Sequence, residues 1–150
     1  MQKEWKNEPD RKHWVDPETG FDCLILRGPV GALCGYVGVP EGHPWYGKGH
    51  NDLEDIQVHG GLTYADKCAG RICHDEKHGD HPAHNHVWWL GFDCAHAGDV
   101  IPNWVDKPIS PFDHNRFKGE EYRNIAYVEG ECAKLARQIK AEKGDYVGVC

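Results

Sequence analysis

The segment Val87-Trp88-Trp89-Leu90-Gly91-Phe92-Asp93-Cys94-Ala95-His96-Ala97-Gly98-Asp99 passes from a strongly apolar run into three ionisable side chains spaced three apart. Carboxylates and imidazoles that leave water need hydrogen bonds, opposite charges or a metal in its place, so a strand ending in Asp93, His96 and Asp99 marks a polar pocket. A second piece, His59-Gly60-Gly61 followed by Thr63, sits in a stretch expected to pair with that strand. Pairing brings His59 near Asp93 or His96, and the two glycines leave room for backbone N–H groups to meet a phosphate, a ribose or a polarised carbonyl. A histidine held by an aspartate serves as general base or metal ligand, so His59, Asp93, His96 and Asp99 are the catalytic set if the chain is an enzyme, with enough donors for a hydrolytic metal centre. The competing reading is plainer: Asp and Gly at a strand end cap the following loop, and His96 is a satisfied core histidine.

Two other groups carry chemistry by residue type. Cys68, Cys73 and His74, followed by His78, His81, His84 and His86, offer the thiolate and imidazole ligands that zinc prefers, although the spacing matches no specific finger. The loop with His43-Pro44-Trp45-Tyr46-Gly47-Lys48 holds two adjacent aromatics suited to a lid or stacking wall, or to plugging one end of a sheet. A ligand set drawn from these pieces comprises Tyr36, His43, Trp45, Tyr46, Lys48, His59, Gly60, Gly61, Thr63, Asp93 and His96. Cys94 with His59 or His96 as base is a weaker nucleophile candidate, because it points away from Asp93 on the strand and a buried thiol is inert.

The elements that must position these groups follow from periodicity. Phe21–Arg27 and Leu33–Val39 read as an antiparallel pair joined at Gly28-Pro29-Val30-Gly31 and ended by Pro40. Ile56–Tyr64 alternates as a third strand, and Val87–Cys94 is the fourth. Tyr122, Ile125, Val128, Cys132, Leu135 and Ile139 recur at helical spacing, predicting a helix ended by Gly144, with Tyr146–Val149 as a short edge strand or tail. Strands first and a helix last predict an α+β fold: a mainly antiparallel sheet of four to five strands, one long C-terminal helix packed on it, and long irregular loops. Residues 1–20 read as a polar arm and 21–150 as a single domain with a Cys/His-rich insertion at 66–86.

The 150 residues suffice for one core, and 18 glycines with 9 prolines predict a loop-rich fold. A net charge of -7 without a basic cluster argues against duplex nucleic acid, and no apolar run approaches a membrane span. The polar start lacks a signal-peptide core, which places the chain in the cytoplasm, and seven cysteines cannot all pair internally. Nothing in the composition decides for or against a homo-oligomer.

The chain resembles a set of small proteins encoded by bacteriophages, prophages and some bacteria. The resemblance is carried by Leu33-Cys34-Gly35-Tyr36-Val37-Gly38-Val39-Pro40 with His43-Pro44, Val58-His59-Gly60-Gly61-Leu62-Thr63-Tyr64, Ile72-Cys73-His74, Trp88 to Asp99, and the helix from Tyr122 to Ile139. It implies a provenance, with the host cytoplasm as location, and no mechanism. Under that provenance the polar pocket and aromatic residues suit capture of a small nucleotide-like ligand, a counter to host nucleotide signalling. The alternatives are a metal-dependent hydrolase of a nucleotide or phosphoester and a protein–protein inhibitor that grips a host factor; zinc is the metal expected of the Cys/His-rich loop, in a structural role.

Overall fold

Leu24, Ile25 and Leu26 are consecutive and all buried, which a strand permits only when both of its faces are covered. In the computed structural model, which describes residues 3–67, 72, 74–75, 79–80, 87–105 and 120–147, that is the case. Strands β1 (Arg11–Val15), β2 (Asp22–Arg27), β3 (Leu33–Pro40), β4 (Tyr64–Lys67) and β7 (Val87–Asp93) form one sheet in the order β1-β2-β3-β7-β4, every neighbouring pair antiparallel. Strands β5 (His74–Asp75) and β6 (Gly79–Asp80) make a separate two-stranded ribbon. A short helix α1 (Pro102–Val105) precedes the long α2 (Ile125–Val147), so the fold is α+β.

Helix α2 covers one sheet face. Its stripe of Val128, Cys132, Leu135, Ala136 and Ile139 buries against Cys23, Ile25, Leu33, Val37, Leu90 and Phe92. The opposite face carries Leu24, Leu26, Val87 and Trp89, with Ile72 packed there and Tyr36 and Tyr64 along its margin. Cys23 and Cys132 fill the helix side as small apolar groups, whereas Cys34 is half-buried on the other face. No helix among the described residues is long and apolar enough to cross a membrane.

Three elements differ from the sequence expectation. Residues 11–15, expected within a loose arm, form β1 and pair with β2 from Arg11↔Leu26 to Val15↔Asp22. Half-buried polar side chains suit an edge strand, and their partner, not their own hydrophobicity, recruits them. The third strand, expected over Ile56–Tyr64, is displaced to Tyr64–Lys67. Gly60 and Gly61 have φ of 68° and 79°, a left-handed conformation incompatible with a ladder, and the Gly61 N–H closes a turn onto the Val58 carbonyl at 2.8 Å. Ile56 and Val58 still bury, from a loop. Helix α2 also runs past Gly144 to Val147, where a short edge strand or tail was expected over Tyr146–Val149; residues 148 and 149 of that span lie outside the described residues.

The start of α2 is fixed from both sides. Asn124 Oδ1 accepts the Tyr127 N–H at 2.8 Å, an N-cap. Glu8, far away in sequence, accepts the Ile125 N–H at 2.8 Å on one carboxylate oxygen and the Tyr122 hydroxyl on the other, beside Arg27. Negative charge at a helix N-terminus is favourable, so Glu8→Ala should lower stability by about 1 kcal/mol. A melting curve should show a midpoint drop of about 3 °C, and an unchanged midpoint would rule out this cap as a stabilising contact.

Candidate functional site

A polar cluster gathers where β7 ends, beside the first turns of α2. Asp99 is its hub: the side chain is 1% exposed and accepts three hydrogen bonds. His59 Nε2–H donates to Oδ2 at 2.8 Å, the His96 backbone N–H to the same oxygen at 3.1 Å, and Arg123 Nε–H to Oδ1 at 2.9 Å. Desolvation pushes this carboxyl up, but the bonds from His59, Arg123 and the His96 amide outweigh it and hold Asp99 below the usual carboxylate value. A backbone bridge between Asp99 and Glu121 brings the segment leading into α2 against this loop, which is what places Arg123 there.

His59 reaches outward from the hub. Because its Nε2 carries the proton given to Asp99, Nδ1 of the neutral ring is an acceptor, and it receives the Tyr127 hydroxyl at 2.7 Å. The His59 backbone N–H is bound by Glu131 Oε1 at 2.8 Å. Arg123 stacks over the Tyr127 ring with Cζ 4.9 Å from the centroid, and also pairs with Glu121 at 2.6 Å. The Tyr127 phenol is pushed up by desolvation first, then by the charge of Glu131, with Arg123 opposing.

The second imidazole lies outside the first. The rings of His59 and His96 are 6.1 Å apart and edge to face. His96 Nε2 approaches Asp93 Oδ1 at 3.1 Å without hydrogen-bond alignment, and the atom itself is buried. Asp93 spends its other bonds on the loop, accepting the Thr63 hydroxyl at 3.0 Å and the Ala95 N–H at 3.1 Å. The side chains of His96 and Asp93 remain 34% and 32% exposed, so this outer pair meets solvent more fully than the inner one, where His59 is 13% exposed and Asp99 sealed.

Gly60 is needed here for a different reason than a backbone opening. A Cβ at residue 60 would sit 2.4 Å from His96 Cδ2 and Nε2, so the imidazole itself occupies the space that the glycine leaves. Gly61, with its N–H spent in the turn, is the residue with nothing within 4 Å of an added Cβ.

The remaining ligand candidates do not converge on this place. Tyr36 lies on the sheet face opposite α2, across Gly91 and edge-on to Tyr64 at 5.5 Å. His43, Trp45, Tyr46 and Lys48 gather at the other end of the sheet. Buried His43 donates through Nε2–H to the Ile139 carbonyl at 2.7 Å and accepts the Trp45 N–H at 3.0 Å on Nδ1, clasping the loop to α2. Trp88 Nε1–H donates to the Lys48 carbonyl at 2.9 Å, and Tyr46 leans on Trp88 at 6.0 Å. From Trp88 to Asp93 the strand covers roughly 17 Å, at about 3.4 Å per residue, so the aromatic loop and the imidazoles form separate features.

Cys94 is 2% exposed, and burial, followed by the charges of Asp99, Cys34 and Asp93, pushes its thiol well up. A protonated, sealed thiol is not a nucleophile. Of the expected zinc set Cys68, Cys73 and His74, Cys68 and Cys73 lie outside the described residues. Among the described residues no group of three His, Cys, Asp or Glu side chains is arranged to hold a metal ion. The bonding explains why His59, Asp93, His96 and Asp99 do not qualify: both nitrogens of His59 and both oxygens of Asp99 are already engaged, and the Arg123 guanidinium sits against them.

The sequence reading missed Arg123, Tyr127 and Glu131. They recur every four residues, a polar stripe beside the apolar one, and that spacing was the signal available. Compared with known proteins, the chain matches no family model, no curated protein and no solved structure.

Proposed function

We propose that the chain binds and holds a small, nucleotide-like ligand on the outer rim of this cluster, with His96, Asp93 and Tyr127 making the contacts. One observation carries the reading: two imidazoles face each other, each beside a carboxylate, and the outer pair is one-third exposed while the inner pair anchors it. A rigid inner layer that fixes partly exposed hydrogen-bonding groups is what a binding site requires. The phage-type resemblance supplies the use: capture of a host signalling metabolite without turnover.

Incubation with ADP-ribose derivatives and cyclic dinucleotides, followed by heat denaturation, should return the ligand intact. Altered products would reject capture. His96→Ala and Asp93→Asn should each weaken binding about tenfold, the loss of one hydrogen bond to a charged or imidazole group, while leaving the melting midpoint nearly unchanged. Equal affinity in both variants and the parent would place the ligand elsewhere.

The separation of the aromatic loop favours a second reading, a protein-docking surface around Tyr46, which is 38% exposed. A host-protein complex lost in Trp45→Ala and kept in His96→Ala would select it over small-molecule capture.

A further inference from the structure

The geometry points to Tyr127 as the group that sets which ligand chemistry the rim accepts, with His59 setting the direction of its hydrogen bond. This rests on the rim site proposed above and names the class of ligand it takes. Asp99 can only accept, and it is engaged by His59 Nε2–H, so the neutral imidazole presents a lone pair at Nδ1. Tyr127 must then donate its single proton inward, across 2.7 Å, and its oxygen offers only lone pairs to anything outside. Glu131, on the His59 backbone N–H, and Asp93, beside His96, are acceptors too.

A rim made of acceptors selects a ligand that brings donors and little negative charge, such as the hydroxyls of a ribose or an amino group. It disfavours a phosphate at this rim, so a nucleotide-like ligand would present its ribose or base here and its phosphates away from it. The local charge agrees: the one guanidinium beside Tyr127, that of Arg123, is already bound to Asp99 and Glu121, while Asp93 stands beside His96 and Glu131 beside His59. The polarity is reversible. When His59 takes up a second proton, Nδ1–H donates to the phenol oxygen, and the Tyr127 proton turns outward to become a donor. The charged and titratable groups facing that event are Asp99 and Cys94 beyond β7, His96 and Asp93 at its end, Arg123 just before α2, and Tyr127 and Glu131 along it. Protonating His59 therefore turns the Tyr127 hydroxyl from an acceptor into a donor, and the Tyr127→Phe comparison below separates this from any charge gained on His96.

Nitrogen-15 NMR of histidine-labelled, untagged protein tests the first half. At neutral pH His59 should show a protonated Nε2 and a bare Nδ1, with the Nδ1 resonance moving in Tyr127→Phe. A protonated Nδ1 overturns the assignment. Titrations with adenosine as the uncharged probe and inorganic phosphate as the anionic one test the second half. Adenosine should shift the His96 resonances at neutral pH and bind about tenfold more weakly near pH 5, where phosphate gains. Tyr127→Phe keeps the ring under Arg123 and should flatten both pH dependences. Phosphate preferred at neutral pH, or a pH reversal that survives in Tyr127→Phe, overturns the proposal. Adenosine that fails to bind while the nitrogen shifts come out as expected sinks the nucleotide-like reading, and the polarity of Tyr127 stands on those shifts.

Discussion

Asp99→Asn is expected to lose about 3 kcal/mol of stability at neutral pH, a fall of about 10 °C in melting midpoint. The carboxylate is sealed from water and accepts from His59, His96 and Arg123. An amide of the same shape turns an N–H toward one of those donors and leaves the guanidinium without its counter-charge. The sign of the pH dependence follows from the depressed carboxyl. Its contribution is complete above the ordinary value of 3.8 and disappears as pH falls through the still lower value in the folded protein. The gap between parent and variant in a urea titration should therefore be wide at pH 7 and narrow in strong acid. Coincident unfolding curves at pH 7 would show that the hub is dispensable. Because the three donors come from three separate segments, the variant should also broaden the NMR signals of His59 and Tyr127.

Gly35→Ala is expected to cost a similar amount, about 3 kcal/mol, by overpacking. Gly35 stands opposite Phe92 in the β3–β7 register. A Cβ there would lie 2.5 and 2.7 Å from Phe92 ring carbons and 2.9 Å from Cys132 Sγ, and both partners are buried between sheet and helix. The ring cannot move toward solvent and the helix cannot move outward without opening its whole stripe. The companion change Phe92→Leu, which shortens the clashing side chain, should recover part of the loss. A double variant no more stable than Gly35→Ala alone would assign the damage to the backbone instead.

What the sequence made legible was decided by local pattern. β2, β3 and β7 declare themselves as apolar runs with Pro40 as a stop, and the stripe from Val128 to Ile139 admits no strand. β1 stayed hidden because Lys12 and His13 carry no apolar pattern, and only pairing with β2 makes that stretch a strand. The strand expected at Ile56 failed because two successive glycines at positive φ overrule alternation. His59, His96 and Asp99 were visible as a group through residue type alone. Arg123, Tyr127 and Glu131 were not, since one charged or phenolic group per turn also describes a solvated helix face. Tyr36, His43 and Trp45 were assigned to the same pocket on chemical suitability, and register together with the pleat separates them by end and by face.

The Glu8 clip has a consequence for how the molecule comes into being. It joins positions 117 apart, and closing a loop of that length costs about 4 kcal/mol of chain entropy. Strands β1, β2 and β3 zip early through short hairpins, but the clip and the start of α2 assemble only after nearly everything between them has been synthesised. The imidazole pair, held by that same helix start, is thus among the last parts to mature, and a nascent chain lacking residues 101–150 has the sheet and both imidazoles without Arg123, Tyr127 and Glu131 to hold them.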